Sequence, residues 1–238
     1  MIPKVVHYCW MSQEEYPAHI VQCIDSWKKR LPDYQFTLWN YDSFPKGKSI
    51  WVDEAFSYKK YAFCADYLRL YALYNYGGIY LDCDVEVLKS FDPFLEREMM
   101  ISWQKDVPGL EVAAFGVEAG NCFIGQCLER YQDRRFIKSN GELDTNVLPE
   151  IVESVFRENG FDFSQVLPSD YFSPKSYLTK QIQLTENTYC IHHFDGSWKK
   201  VSTADKVDDF LCALFHIKRI RPINGIIRRF RKVFCKHQ

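Results

Sequence analysis

Two aspartates separated by one residue, Asp82 and Asp84, close the run Gly77-Gly78-Ile79-Tyr80-Leu81-Asp82-Cys83-Asp84. Side chains alternate along a strand, so both carboxylates face one way and Cys83 the other. At about 3.3 Å per residue their backbones stand roughly 6.6 Å apart, wide for one shared ion unless the strand end bends. Two hard oxygen donors suit Mg²⁺ or Mn²⁺, which keep positions open for phosphate oxygens. An ion held there would neutralise charge building on a departing diphosphate, favouring the transition state over the ground state. A bare pair of this kind is more often a solvated turn. Its position at the carboxyl end of a strand, where open α/β sheets place ligands, points to a site.

Asp66 and Arg69 lie three apart on the preceding helix and therefore share a face. Two readings stand: a surface ion pair worth a few tenths of a kcal/mol, or a charged pair aimed at a polar site. The helix is otherwise uncharged from Tyr61 to Tyr76, which gives the second reading its footing.

The elements that would carry these residues follow from apolar spacing. Val5 to Trp10 reads as a buried first strand. Ile20, Val21, Ile24, Trp27 and Leu31 then follow helical spacing behind Pro17, a good first-turn residue. Tyr34 to Trp39 reads as a second strand closed by Asn40-Tyr41-Asp42-Ser43, and strand, helix, strand at this spacing predicts a parallel βαβ unit. A helix over 59–76, rich in Ala, Leu and Tyr, ends at the Gly77-Gly78 cap signal. Further strands are expected at 79–81, 85–87, 99–103, 112–117, 165–167 and 188–193, helices at 122–136 and 144–159, and a long loop at 168–180. The class is α/β with a mixed sheet.

The 238 residues, 47% hydrophobic and 16% aromatic, suit one large domain with a modest appendage. The net charge of −1 excludes a strongly basic nucleic-acid binder. No acid follows Asp209, whereas eight Lys and Arg do, which leaves residues 1–209 at about −9 and makes 210–238 a basic tail. Ile217, Ile220, Ile223, Ile226, Ile227, Phe230, Val233 and Phe234 alternate with the basic residues like an amphipathic helix interrupted near Pro222 and Gly225. Such a tail suits an anionic membrane surface, at about 1 kcal/mol per basic residue, or packs on the domain or a second subunit. The nine scattered cysteines include no C-x-x-C pair, which argues against a zinc site or a disulfide framework and for a reducing cytoplasm. The N-terminus lacks the form of a signal peptide, and no apolar stretch reaches the roughly 18 residues a membrane span needs.

The segments Ala65-Asp66-Tyr67-Leu68-Arg69 and Tyr76 to Asp84 resemble family 32 glycosyltransferases. That group includes bacterial capsule and polysaccharide transferases and yeast-type initiating mannosyltransferases, with a more distant similarity to clostridial glucosylating toxins. Ile2 to Trp10 resembles the family's opening strand, and Thr188 to Trp198 its closing motif. The resemblance implies a GT-A fold, a Rossmann-like mixed sheet flanked by helices, with a nucleotide-sugar donor, a divalent metal and retention of anomeric configuration. It implies that Asp84 ligates the metal, that Asp82 contacts the donor and possibly the ion, and that Asp66, Arg69 and Tyr80 attend the donor sugar. Trp10 would stack on the nucleobase, and Ser197 and Trp198 would close over the diphosphate. His193-Phe194-Asp195-Gly196 resembles the H-x-x-G of related retaining transferases, so His193 is favoured over His192 as the further metal ligand. The ion would be Mn²⁺ or Mg²⁺. UDP-sugars stand ahead of GDP-mannose as donors, and a glycan or lipid-linked glycan is the implied acceptor. No residue stands out as a covalent nucleophile, which favours front-face transfer.

These inferences combine into a cytoplasmic transferase, peripheral on the inner membrane face, that builds a surface polysaccharide. A toxin-like transferase acting on protein would need secretion features and larger accessory domains. A non-catalytic, membrane-associated binder of sugar nucleotides would be expected to have lost the D-x-D or the closing histidine, and both are present.

Overall fold

The chain begins with a βαβ unit: β1 (Val5–Cys9), α1 (Ala18–Arg30) and β2 (Gln35–Trp39). Two helices follow, α2 (Ile50–Ser57) and α3 (Tyr61–Tyr76), and then β3 (Gly78–Leu81) and β4 (Val85–Val87). Beyond them lie β5 (Met99–Met100), β6 (Ala114–Val117), α4 (Cys122–Glu129), α5 (Leu148–Glu158), α6 (Ser169–Phe172) and β7 (Cys190–His192). The structure, a computed structural model, describes residues 1–195. The predicted amphipathic helix of the tail, Ser197 and Trp198 lie outside the described residues. Among the described residues no helix is long and apolar enough to cross a membrane.

Five strands form one sheet in the order β2-β1-β3-β6-β5. β1 runs parallel to β2 and β3, while β6 runs antiparallel to β3 and β5 to β6, so the sheet is mixed. A separate antiparallel ribbon pairs β4 with β7 and sets Val85 opposite His192. Alternation along β3 sends Ile79 and Leu81 into one apolar cluster, with Trp27, Phe91 and Phe172, and Tyr80 into the other, with Leu68, Leu73 and Phe115. Tyr80 therefore lies on the face covered by α3.

The junction between α3 and β3 needs both glycines. Gly77 lies at φ +64° and caps the helix, its N–H donating to Leu73 O at 2.9 Å. Gly78 lies at φ +102°, and a Cβ there would come within 2.5 Å of Val5 O. His7, 2% exposed, fastens the same junction. The Trp39 indole can only donate, and it reaches His7 Nδ1 at 3.1 Å; the imidazole proton is therefore on Nε2, which donates to Gly77 O at 2.8 Å.

Several boundaries differ from the sequence reading. The expected helix over 59–76 starts at Tyr61, and α2 stands before it, capped by the Ser49 hydroxyl, which accepts from Val52 N–H. The expected helix over 122–136 ends at Glu129. The one over 144–159 starts at Leu148, because Pro149 fits only a first turn and Asp144 is committed to Arg134 at 2.8 Å. Strand 99–103 shortens to two residues, and 165–167 contributes one bridge, Leu167 to Ser102. The loop expected over 168–180 contains α6.

Candidate active site

Beyond Leu81 the chain does not stay extended. Val85 N–H donates to Asp82 O at 3.0 Å, closing a turn over Asp82-Cys83-Asp84 that draws the two carboxylates together. The Cys83 thiol between them donates to Cys9 O at 3.2 Å, which ties the turn to the end of β1. This is the bend that the 6.6 Å spacing of an extended pair required.

Arg69 reaches the turn from α3. Its side chain is 6% exposed, so the pair with Asp66 is no solvated surface pair. The guanidinium lies 3.3 Å from Asp66 Oδ1 and 3.1 Å from Asp82 Oδ1, donates to Val112 O at 2.8 Å and sits 4.5 Å over the Tyr80 ring. Tyr80 donates its hydroxyl to Asp82 Oδ1 at 2.9 Å. Burial works against the Arg69 charge, but Asp82, Tyr80 and Asp66 outweigh it and hold the guanidinium firmly charged. Burial pushes Asp66 up to about 6 despite Arg69, and raises Asp82 as well. Asp66 Oδ2 also accepts from Leu148 N–H at 3.2 Å at the start of α5, which leaves Asp82, 27% exposed, as the more open carboxylate.

The third group at the turn comes from β7. Ligand atoms of Asp82, Asp84 and His192 all lie within 4.8 Å of one another. His192 Nε2 stands 3.7 Å from Asp84 Oδ2. His193, favoured from the sequence, is turned the other way, its Nε2 3.1 Å from Glu86 Oε2. In the structure His192 rather than His193 faces the two aspartates, and the reason is register: β7 pairs with β4 so that His192 lies opposite Val85, and neighbouring residues on a strand face opposite sides. The His193 backbone does serve the turn, its N–H donating to Asp84 O at 3.0 Å. Asp195 N–H donates to Asp84 Oδ2 at 2.9 Å, and its carboxylate pairs with His19 of α1 at 2.6 Å.

Sequence reasoning passed over Glu111, which is 1% exposed and accepts from Ala113 N–H at 2.9 Å and from the Ser173 hydroxyl at 2.7 Å. His192 Nδ1 lies 3.2 Å from its Oε1. Burial raises the pKa of Glu111, but His192 and these donors outweigh it and hold the carboxyl below its usual range. Burial opposes charge on His192, yet Glu111 and the two aspartates push it up to about 9. The available signal was a lone acid inside the apolar stretch Leu110 to Val117, since a carboxylate there is buried only with partners.

Trp10 follows β1 directly and lines a cleft of about 640 Å³ with Tyr16, Asn40, Tyr41, Asp42 and Lys46. Its ring lies 4.8 Å from that of Tyr16, and its N–H donates to Glu14 O at 3.0 Å. Trp10 is thus one residue beyond the Cys9 carbonyl that anchors the Asp82–Asp84 turn. The structure therefore gathers Asp66, Arg69, Tyr80, Asp82 and Asp84, and sets Trp10 at the adjoining cleft.

Residues 17–102, which include Asp66, Arg69 and both aspartates, match a family model described as a glycosyltransferase sugar-binding region containing the DXD motif. Inositol phosphoceramide mannosyltransferase 1 of Schizosaccharomyces pombe is 29% identical over 147 residues, 58% of this chain and 46% of that protein. Inositol phosphoceramide mannosyltransferase 3 of the same organism is 31% identical over 132 residues, 52% of this chain and 36% of that protein. The chain thus spans less than half the length of these relatives. The solved PaToxG glycosyltransferase superposes with a TM-score of 0.51 at 19% identity, over 69% of this chain and 73% of that one, a likeness of fold. The chain has a mixed sheet flanked by helices with the D-x-D turn at its edge, and its residues 17–102 are similar to the sugar-binding region of DXD-containing glycosyltransferases.

Proposed function

We propose that the protein is a retaining, metal-dependent transferase that moves a hexose from a nucleotide sugar to a glycan or lipid-linked acceptor. The observation that carries this reading is the meeting of Asp82, Asp84 and His192 beside the Arg69 guanidinium. Two carboxylates and one imidazole are a donor set suited to Mn²⁺ or Mg²⁺. Asp82, Asp84 and His192, with ligand atoms within 4.8 Å of one another, would hold such an ion once their side chains turn inward. Asp84, 14% exposed and pinned by Asp195 N–H, is the fixed ligand, with Asp82 shared between ion and donor. When bound, the ion supplies positive charge to the leaving diphosphate.

The chain's own residues position the donor. Arg69 fixes the orientation of Asp82, whose open edge can accept from sugar hydroxyls. Trp10 offers an aromatic face to the nucleobase at the neighbouring cleft. The visible carboxylates are committed: Asp66 to Arg69 and Leu148, Glu111 to Ser173 and His192, and the aspartate pair to the metal cluster. That supports front-face transfer, in which the acceptor hydroxyl forms the new glycosidic bond and passes its proton to the departing phosphate while the enzyme positions and neutralises.

The relatives are named as mannosyltransferases of inositol phosphoceramide, which supports a lipid acceptor and brings GDP-mannose level with UDP-sugars as donor. The basic tail would hold the enzyme on the anionic inner face of a membrane, where lipid-linked acceptors reside. A screen of UDP- and GDP-sugars with Mn²⁺ and with chelator tests the function. Binding or slow donor hydrolysis that needs Mn²⁺ and disappears in Asp84→Ala is expected. No binding or turnover of any nucleotide sugar under either condition defeats the reading.

A further inference from the structure

We propose that Glu111, held by Ser173, is the positioning residue that aims His192 at the metal cluster. The inference rests on the metal-site reading above and deepens it. Glu111 does not touch the cluster; it acts through the imidazole. A carboxylate can only accept, so the nitrogen it faces, His192 Nδ1 at 3.2 Å, must carry a proton. In the neutral imidazole that a bound cation requires, that leaves Nε2, the atom 3.7 Å from Asp84 Oδ2, as the nitrogen that would give its lone pair to the cation. The carboxylate thereby selects both the tautomer and the ring orientation.

Glu111 is built for this task more firmly than a surface acid could be. Its side chain is 1% exposed, and its own backbone N–H donates to Ser102 O at 2.9 Å, fixing the main chain. The carboxylate is then fixed from two further directions. Ala113 N–H, at the entry to β6, donates to Oε1 at 2.9 Å, and the Ser173 hydroxyl, fully buried just beyond α6, donates to Oε2 at 2.7 Å. Ser173 is itself set by its N–H, which donates to Ser169 O at 2.8 Å. A buried carboxylate needs several donors to remain ionised, and here two come from the scaffold and the third is the histidine. Phe194, at φ +55°, closes the other side of the imidazole, with ring centroids 4.0 Å apart. The ring is thus held between Glu111, 81 residues away in sequence, and the neighbouring Phe194.

The test is a double-mutant cycle read by Mn²⁺ binding to the protein alone, by calorimetry and by electron spin resonance of free Mn²⁺. Glu111→Gln in the wild-type background should weaken Mn²⁺ binding by about 10- to 100-fold, the usual effect of losing such a partner. In a His192→Ala background, already weakened, the same change should cost less than about twofold, because the ring through which Glu111 acts is gone. An equal loss in both backgrounds, or no loss in the wild type, overturns the proposal. Ser173→Ala gives a second variant should Glu111→Gln fold poorly, with a smaller weakening that again vanishes when His192 is absent; persistence of that weakening also overturns it. If His192→Ala binds Mn²⁺ as tightly as the wild type while Asp84→Ala does not, His192 is no ligand and the positioning role falls with it, though the DXD reading survives. If Asp84→Ala is also unaffected, the metal-site reading itself has failed.

Discussion

Arg69→Met removes a charge from between two carboxylates while keeping most of the side-chain volume. Arg69 is 6% exposed on its side chain, Asp66 12% and Asp82 27%, so the variant strands two acids with little water. Breaking a buried pair costs about 3–5 kcal/mol. Because Asp82 keeps an open edge that water can screen, the lower end is expected, about 3 kcal/mol at pH 7.5 in chelator. The sign of the pH dependence separates charge from packing. Burial already raises Asp66 to about 6 and raises Asp82, and loss of Arg69 raises both further. A carboxyl whose folded pKa exceeds its unfolded value of about 3.9 binds more protons folded than unfolded in that interval. Stability therefore rises as pH falls through the interval, by up to about 1.4 kcal/mol per pH unit for each group. The wild type shares part of this gain, and the variant should gain more, so the deficit at pH 5 should be roughly half that at pH 7.5. Urea denaturation of both proteins at the two pH values is the assay. A deficit under about 1 kcal/mol at pH 7.5, or one equal at both pH values, would refute the reasoning.

Other expectations follow from single contacts. His192→Ala should weaken Mn²⁺ binding and His193→Ala should change it little, measured by calorimetry; the reverse order would restore the sequence-based choice of His193. Burial lowers the pKa of His7 below 6.5, so below that value the unfolded chain takes up a proton that the folded chain refuses. His7 should thus make the wild type lose stability as pH falls below about 6.5, at up to about 1.4 kcal/mol per unit, and urea melts of His7→Gln should lack that part of the slope. Trp10→Ala should reduce nucleoside diphosphate affinity by about tenfold in a titration, the scale of one lost stacking contact, and unchanged affinity would remove Trp10 from the donor site. Deleting residues 217–238 should release the protein from anionic vesicles in a sedimentation assay; retained binding would count against a membrane role for the tail.

What the sequence disclosed and what it hid divide along contact range. The βαβ start and the passage from α3 through Gly77-Gly78 to β3 are written in local spacing: apolar residues three and four apart, then a cap that only glycine tolerates, then alternation. Asp66, Arg69 and the aspartate pair fall within one such stretch, so their meeting could be anticipated. α2 escaped because Ile50-Trp51-Val52-Asp53-Glu54-Ala55-Phe56-Ser57 is short and apolar without a clear face, buried by neighbours that local spacing does not reveal. The stretch 137–147 carries no regular element, and its order comes from Arg134 meeting Asp144 and from Glu54 accepting Ile137 N–H at 3.0 Å.

The histidine choice shows why the remainder was beyond local reading. His192 and His193 differ by one position, and in a strand one position decides which face is presented. That face is set by pairing with β4, about 105 residues earlier, through Val85 opposite His192. The same pairing brings His193 N–H and Asp195 N–H to Asp84, so one ribbon delivers the imidazole and also fixes the carboxylate that it meets. Asp84 is the joint of the site for this reason. It ends the DXD turn on one side and receives the β7 segment on the other, and a change in β4–β7 register would displace its partners and the histidine together. The parallel strands β1 and β3 set the aspartates at their carboxyl ends, and the ribbon brings what those ends alone lack, an imidazole from a distant part of the chain.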